Sequence, residues 1–255
     1  MTDFPLRAYE YYAASYRRVW RGSVVSSVVN PVLYLTALGV GLGTIVNRGR
    51  SPLGIPYLDF VAPGLMAAVA MQIAANECSW PVMAAVRWTR QYHAMLATPL
   101  RARDIVVGHQ LWVASRVAMS TTIYVVVIAV FGAVRSPLGI LAVPAAVLVG
   151  VAFSAPIAAL AVRAPSDATF NPLFRFVITP MFLFSGIFFP VTRMPHALRV
   201  VAYLTPLWHG VALCRSLTLG TAHLWPSLAH AGYLLLWAAV GLVLALRAYR
   251  WRLVR

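Results

Sequence analysis

The chain has 255 residues, 61% of them hydrophobic, and a net charge of +15 set by 21 basic residues, every one an arginine, against 6 acids. Its mean hydropathy of +0.77 and an apolar share far above the ~45–50% of soluble domains exclude an ordinary soluble protein. The absence of lysine excludes a P-loop ATPase, a Schiff-base enzyme and a serine–lysine dyad, and the arginines fill gaps between apolar runs, which points to membrane topology and no nucleic-acid partner.

The first predicted element is an amphipathic helix over 4–21. Arg7, Glu10, Arg17, Arg18 and Arg21 fall within an arc of roughly 100°, and Phe4, Ala8, Tyr11, Tyr12, Tyr16, Val19 and Trp20 cover the other side. An arginine edge against an aromatic face suits a helix lying in the headgroup plane. Six membrane spans follow: Val24–Val46, Leu58–Ala84, Gln110–Val134, Leu138–Val162, Pro172–Phe189 and Leu228–Arg247. Each is near the roughly 20 residues that cross ~30 Å of hydrocarbon. The fold class is therefore an all-α polytopic membrane protein of six transmembrane helices, one domain over 1–255.

Six crossings put both termini on one side. Fifteen arginines, among them Arg7, Arg87, Arg101 and Arg252, share that side, against six on the other: Arg48, Arg50, Arg135, Arg193, Arg199 and Arg215. The positive-inside rule then makes both termini cytoplasmic. Two connections exceed simple turns. The cytoplasmic loop over 85–108 contains Thr98-Pro99, with the chemistry of a helix start. In the external stretch over 190–220, Pro195 and Pro206 each open a short helix and Gly220 ends the second; these helices are expected to be re-entrant, dipping into the outer leaflet.

Enzyme signatures are missing: the chain has no GxxxxGK[ST], HExxH or GxSxG. Ser185-Gly186 lacks the frame of a nucleophile elbow and is expected to serve close helix packing. His93, His109, His196, His209, His223 and His230 show no metal-ligand spacing, so no metal is expected. Cys78 and Cys214 fall at opposite membrane faces and are expected to stay unpaired. No acid sits in the middle of a span, which removes the usual machinery of proton-coupled transport. Glu77 is expected to pair with Arg87 or Arg90, or else to touch a substrate. Pro31 and Pro180 allow kinks.

The stretches NPVLYLTALGVGLGTIV, FVAPGLMAAVAM, HAMLATPLRARDIVVGH and ITPMFLFSGIFFPVTRMPHALRVVAYLTPLWHGVALCRSLTLG carry a specific resemblance. In order and over nearly the whole chain, the sequence resembles the permease subunit of type-2 ABC exporters, in the branch of nodulation-factor (lipo-oligosaccharide) exporters and daunorubicin-resistance permeases. That resemblance implies a transport subunit with no catalytic site and no cofactor of its own, in the bacterial plasma membrane. It would act with two ABC ATPase subunits that bind ATP and magnesium, a second permease subunit (the same chain or another) and membrane lipids. It implies a coupling loop with Arg87, Arg90, Thr98, Pro99, Arg101, Arg103 and Asp104 as the residues that meet the ATPase, while Arg252 would be indifferent. It also implies a substrate path, here lined by Tyr34, Gln72, Asn76, Phe182, Phe184 and Phe188, a weakly polar aromatic lining that suits an amphipathic lipid, lipo-oligosaccharide or drug. The alternative is a secondary, ion-coupled multidrug transporter, for which the chain shows no inverted repeat.

Overall fold

Backbone donors and acceptors in hydrocarbon have to be satisfied within the chain. The computed structural model describes residues 4–18, 20–46 and 54–254, and these form helices joined by turns, bends and short loops. Asp3, Val19, Arg48, Arg50 and Arg255 lie outside the described residues, as does the side chain of Asn30.

Helix α1 (Phe4–Tyr16) is shorter than the expected 4–21, and α2 (Trp20–Tyr34) starts just beyond it. A π-helical stretch, Leu35–Leu42, then leads into α3 (Gly43–Val46). Next come α4 (Tyr57–Cys78) and α5 (Trp80–Arg87), which meet at a bend at Ser79, just before the N–H-less Pro81. α6 (Gln91–Leu96) is a short helix in the arginine-rich loop, and α7 (Ala102–Val130) leaves it. α8 (Ala142–Arg163) follows a 3₁₀ turn led by Pro137. α9 (Phe170–Leu173) and α10 (Thr179–Phe184) are joined by a π turn, Phe174–Ile178; Pro180 cannot donate to the Phe176 carbonyl, and the turn before it has widened. α11 (His196–Tyr203), α12 (Pro206–Leu219) and α13 (Leu224–Leu253) complete the chain.

Among the described residues, four helical runs are long and apolar enough to cross a membrane: Tyr57–Arg87, Ala102–Val130, Pro137–Arg163 and Leu224–Leu253. They coincide with the expected second, third, fourth and sixth spans. The expected first span falls on the α2–α3 stretch with its π-helical middle. The expected fifth falls on a helical stretch from Phe170 to Phe184, roughly 22 Å long at 1.5 Å per residue. α11 and α12 bend by 79° at the turn between them. The expected signals hold there: Pro206 opens α12 behind the Thr205 cap, whose hydroxyl accepts from the Trp208 N–H at 3.3 Å, and Gly220 ends it at φ +74°.

Lipid tails are as apolar as leucine, so packing rather than water release holds such helices together, and small residues permit it. α4 is the central rod: Ala62, Gly64, Ala67, Ala68, Ala70, Ala74 and Ala75 are all buried, against α7, α8 and α12. α8 and α13 approach so closely that a Cβ at Gly241 would sit 2.5 Å from Pro156 Cδ.

α1 reaches its seat on α7 the same way. A Cβ at Gly108 would lie 2.6 Å from both the Ala8 Cβ and the Pro5 carbonyl oxygen, and the latter is backbone that cannot rotate aside. Tyr9, Tyr12 and Tyr16 of α1 are therefore turned to protein, against Trp112, while Tyr11 of the expected aromatic face stays exposed. Gly108→Val is expected to push α1 off its seat, an overpacking cost of about 1–3 kcal/mol. Limited trypsin digestion of membranes should then cut faster at Arg7, Arg17 and Arg18; an unchanged rate would show that the contact does not hold the helix.

Candidate functional site

The residues expected to meet a partner lie at the arginine-rich end of the bundle. α5 ends at Arg87, and Thr89 closes the turn by donating its hydroxyl to the Ala84 carbonyl at 3.2 Å. Arg90 then takes a left-handed conformation, φ +50°, before α6 begins. This is a strained position for a residue with a Cβ. Thr98-Pro99 does not start the next helix. The Thr98 hydroxyl instead turns back to the Met95 carbonyl at 2.6 Å, finishing α6. The helix start lies at Arg101, whose N–H donates to Asp104 Oδ2 at 2.9 Å, while the Asp104 N–H donates back to the Arg101 carbonyl. A carboxylate at the third helical position also suits the positive end of the helix.

Asp104 is thus buried in its own cap, with Arg103 Nε at 3.5 Å from Oδ1, while the Arg103 side chain is 65% exposed. Arg87, Arg90, Thr98, Pro99 and Arg101 are exposed. Arg87 and Arg90 line a cleft of about 550 Å³ together with Trp88, His93 and Arg252, so Arg252 sits beside two of the expected coupling residues. Thr98 lines a second groove of about 560 Å³ with Arg7, Tyr11 and Gln91.

Behind these surfaces the elements are bolted together. The Tyr12 hydroxyl of α1 donates to the Tyr92 hydroxyl of α6 at 3.3 Å, and the Tyr92 ring packs on Tyr249 of α13 with centroids 5.5 Å apart. Burial pushes the Tyr12 and Tyr92 phenols well above the usual tyrosine value, so both remain neutral hydrogen-bonding groups. Glu77 pairs with neither Arg87 nor Arg90. It accepts from Arg116 Nε at 3.2 Å and from Trp112 Nε1 at 3.4 Å, and Arg116 also donates to the Tyr16 hydroxyl at 2.9 Å. The bend at Ser79 carries Arg87 and Arg90 away on α5 and its following loop, while α7 runs alongside α4. One network thus joins α1, α4 and α7.

Of the expected path residues, Gln72 and Asn76 stand one turn apart on α4, half-buried and exposed respectively. Phe182 and Phe188 meet at 5.3 Å across the bend that follows α10, and Phe184 is exposed. Tyr34, also exposed, ends α2 where the π-helical stretch begins. Among the described residues, no hydrogen bond or ring contact joins the α4 pair, the phenylalanines and Tyr34 to one another.

Four polar clusters at the other end and inside the bundle escaped sequence reasoning. Arg135 Nη2 lies 2.8 Å from the buried Asp59 carboxylate. Arg215 is a clamp: it donates to the Phe60 carbonyl at 3.0 Å and the Gly186 carbonyl at 2.8 Å, over the Phe60 ring. His209 and His230 meet Nδ1 to Nδ1 at 2.9 Å, and His209 Nε2 faces the Tyr203 carbonyl at 3.0 Å. A carbonyl only accepts, so His209 Nε2 carries a proton and the pair shares one more between its Nδ1 atoms. Deeper in the bundle, Ser154 donates to the Gln110 side-chain carbonyl. Apart from the Tyr203 carbonyl, each partner lies more than 20 positions away in the sequence, so no spacing rule links it. Ser185 and Thr205 share a buried hydroxyl contact at 3.2 Å beside Gly186, φ +79°, at the tight turn where close packing was expected. Cys78 and Cys214 are free and buried. No group of three or more metal-ligating side chains is assembled among the described residues.

Comparison with known proteins follows the same length of chain. A family model described as "ABC-2 type transporter" matches residues 10–219. The chain is 32% identical over 240 residues to "Nodulation protein J" of Rhizobium meliloti (strain 1021), covering 94% of this chain and 90% of that protein. It is 32% identical over 241 residues to the protein of the same name in Rhizobium leguminosarum bv. viciae, with 94% and 92% covered. Against that of Bradyrhizobium diazoefficiens it is 30% identical over 257 residues, 98% and 97% covered.

Proposed function

Because this chain belongs to the ABC-2 type transporter family and is an integral membrane permease component, we propose that it drives export of an amphipathic molecule with energy supplied by partner ATPases. The observation that carries this reading is the family match, which runs unbroken from α1 through the arginine-rich loop to α12. Two ABC ATPase subunits bind ATP and magnesium, and a second permease subunit completes the transporter. The chain sits in the bacterial plasma membrane with both termini cytoplasmic, in accord with its arginine distribution; the α2–α3 stretch and the Phe170–Phe184 stretch complete six spans.

The coupling path follows from the packing. The ATPase docks on the exposed edge formed by Arg87, Arg90, Thr98, Pro99, Arg101 and Arg103. ATP shifts the transporter only through its differential affinity for two states, so ATPase closure has to displace this edge. Because Asp104 caps α7 directly behind Arg101, a push on the loop reaches a helix end rather than a slack linker. Tyr92 carries the same push to Tyr12 of α1, and Glu77 ties α7 to α4. α4 bears Gln72 and Asn76, the polar side of the path, while Phe182, Phe184 and Phe188 meet the apolar part of the load; Tyr34 completes the lining. A lipid, lipo-oligosaccharide or drug fits such a lining.

The test is ATP turnover by purified protein. The chain alone, with no lysine and no phosphate-cradling loop, should show none. With an ABC ATPase from the same genome, turnover should appear and rise on adding the transported amphiphile. Hydrolysis by the isolated permease, or an ATPase that never associates with it, would defeat the reading.

A further inference from the structure

The last turns of α13 carry a cationic hollow that neither the coupling edge nor the path uses. Arg247, Arg250, Trp251 and Val254 stand three, four and seven residues apart, so they share one helix face, and together they line a space of about 340 Å³. Arg163, the last residue of α8, brings its guanidinium to 5.9 Å from the Trp251 ring centroid. Among the described residues, the ion pairs are made at Asp59, Glu77 and Asp104. None of them neutralises Arg163, Arg247 or Arg250. Part of this charge complements the negative ends of α8 and α13, but that role needs no hollow.

The same two helices also wall an apolar pocket. On α13, Trp251, Leu244 and Trp237 repeat at seven residues, and Leu244 is 45% exposed. On α8, Leu160 lies one turn before Arg163. Trp237 and Leu160 both line a pocket of about 250 Å³, with Phe153, Pro156, Val177 and Met181 among its other walls, all apolar. At 1.5 Å per residue the pocket begins roughly 5 Å above Arg163 and reaches Trp237 roughly 21 Å above Trp251. One leaflet of hydrocarbon is about 15 Å deep, half of the ~30 Å core, so the Leu160 end of the pocket lies within reach of a single acyl chain whose headgroup sits among the arginines, and the Trp237 wall stands deeper.

We infer that α8 and α13 form a binding site for an anionic phospholipid, its phosphate held by Arg163, Arg247 and Arg250 beside Trp251 and an acyl chain lodged in the pocket walled by Leu160 and Trp237. Guanidinium forks match phosphate oxygens in paired hydrogen bonds, and an indole belongs at headgroup depth. A lipid with net negative charge fits three unneutralised arginines, whereas a choline headgroup brings its own cation to them. Basic pockets between membrane helices recognise anionic headgroups in this way. The occupant would wedge the α8–α13 pair against the α9–α10 stretch. The inference needs only that the chain is membrane-embedded and stands apart from the transport reading.

Native mass spectrometry of the purified full chain, offered phosphatidylglycerol and phosphatidylcholine with matched chains, tests it. The expected result is selective retention of phosphatidylglycerol. Arg247→Gln with Arg250→Gln should weaken that retention by about thirtyfold for the two charges. Arg90→Gln with Arg252→Gln, which removes two charges from the neighbouring cleft, should leave it essentially unchanged. Dihexanoyl phosphatidylglycerol should bind far more weakly than the long-chain lipid, and soluble glycerol phosphate should not displace the latter. Equal retention of phosphatidylcholine, equal loss in the two double variants, or equal binding of the short-chain lipid would each overturn the site.

Discussion

Arg101→Glu together with Arg103→Glu should leave the permease inserted and folded but strip it of its ATPase and abolish export. Both side chains are exposed, and the α7 start is held by the Asp104 carboxylate through the Arg101 backbone N–H, with only a solvent-exposed ion pair from Arg103 beside it. Glutamates in a first helical turn are favoured by the helix dipole, so the reversal does not melt the helix start. What it removes is positive charge at the proposed docking edge, where losing one member of a desolvated pair costs about 2–5 kcal/mol. The control is Arg18→Glu, an exposed position just after α1; Arg252 does not serve, because it shares a cleft with Arg87 and Arg90. The readout is co-purification of the ATPase at matched membrane levels. If the double variant holds its ATPase as firmly as the Arg18 variant and still exports, the edge is not the coupling surface.

Glu77→Ala should be the most destabilising single change at the arginine-rich end, by about 3 kcal/mol, the lower end of the range for stripping a buried charge of its partner. The lower end applies because the Glu77 and Arg116 side chains keep 27% and 14% exposure. Arg116 would be left with the Tyr16 hydroxyl, and Trp112 Nε1 would lose its acceptor. Replacing both charges, Glu77→Leu with Arg116→Leu, should recover most of the loss, since the desolvation cost disappears with the pair. Thermal unfolding in detergent measures both variants. If the double change is as damaging as the sum of the singles, the two residues are not coupled and the network does not tie α4 to α7.

Elements set by local chemistry were legible in the sequence, and pairings between distant helices were not. The long apolar runs around Leu65, Val125, Val151 and Leu235 declare themselves through length alone, as do Pro206 and Gly220 at the two ends of α12. The start of α7 was misplaced because Thr98-Pro99 imitates a cap. The informative residue was Asp104, three beyond Arg101, the carboxylate half of a capping box without a hydroxyl partner. The π-helical stretches left no signal beyond prolines nearby, since a widened turn has the composition of an ordinary one. Glu77 was matched to arginines close in sequence. Its true partner, Arg116, lies 39 positions away and is found only once α4 and α7 are side by side. The proposed path residues were chosen for polarity and aromaticity within spans, and only two pairs of them, Gln72 with Asn76 and Phe182 with Phe188, have a local relation that spacing or geometry supplies.

The clamps on α4 have a consequence for how the protein is made. Asp59 lies 76 residues ahead of Arg135, and the Phe60 carbonyl lies 155 residues ahead of Arg215. At roughly 5–20 residues per second of synthesis, Asp59 waits about 4–15 s for its cation, and the Phe60 carbonyl about 8–31 s for its guanidinium. Glu77, 39 residues ahead of Arg116, waits about 2–8 s at the same rate. The helix at the centre of the finished bundle is therefore among the first membrane helices translated, and its acid-bearing ends stay uncompensated until later helices leave the ribosome. A nascent chain arrested before Arg116 would present α4 with both carboxylates or their protons still facing water or the insertion machinery, and a chain arrested before Arg215 would hold an otherwise complete rod whose Phe60 end has not yet been locked.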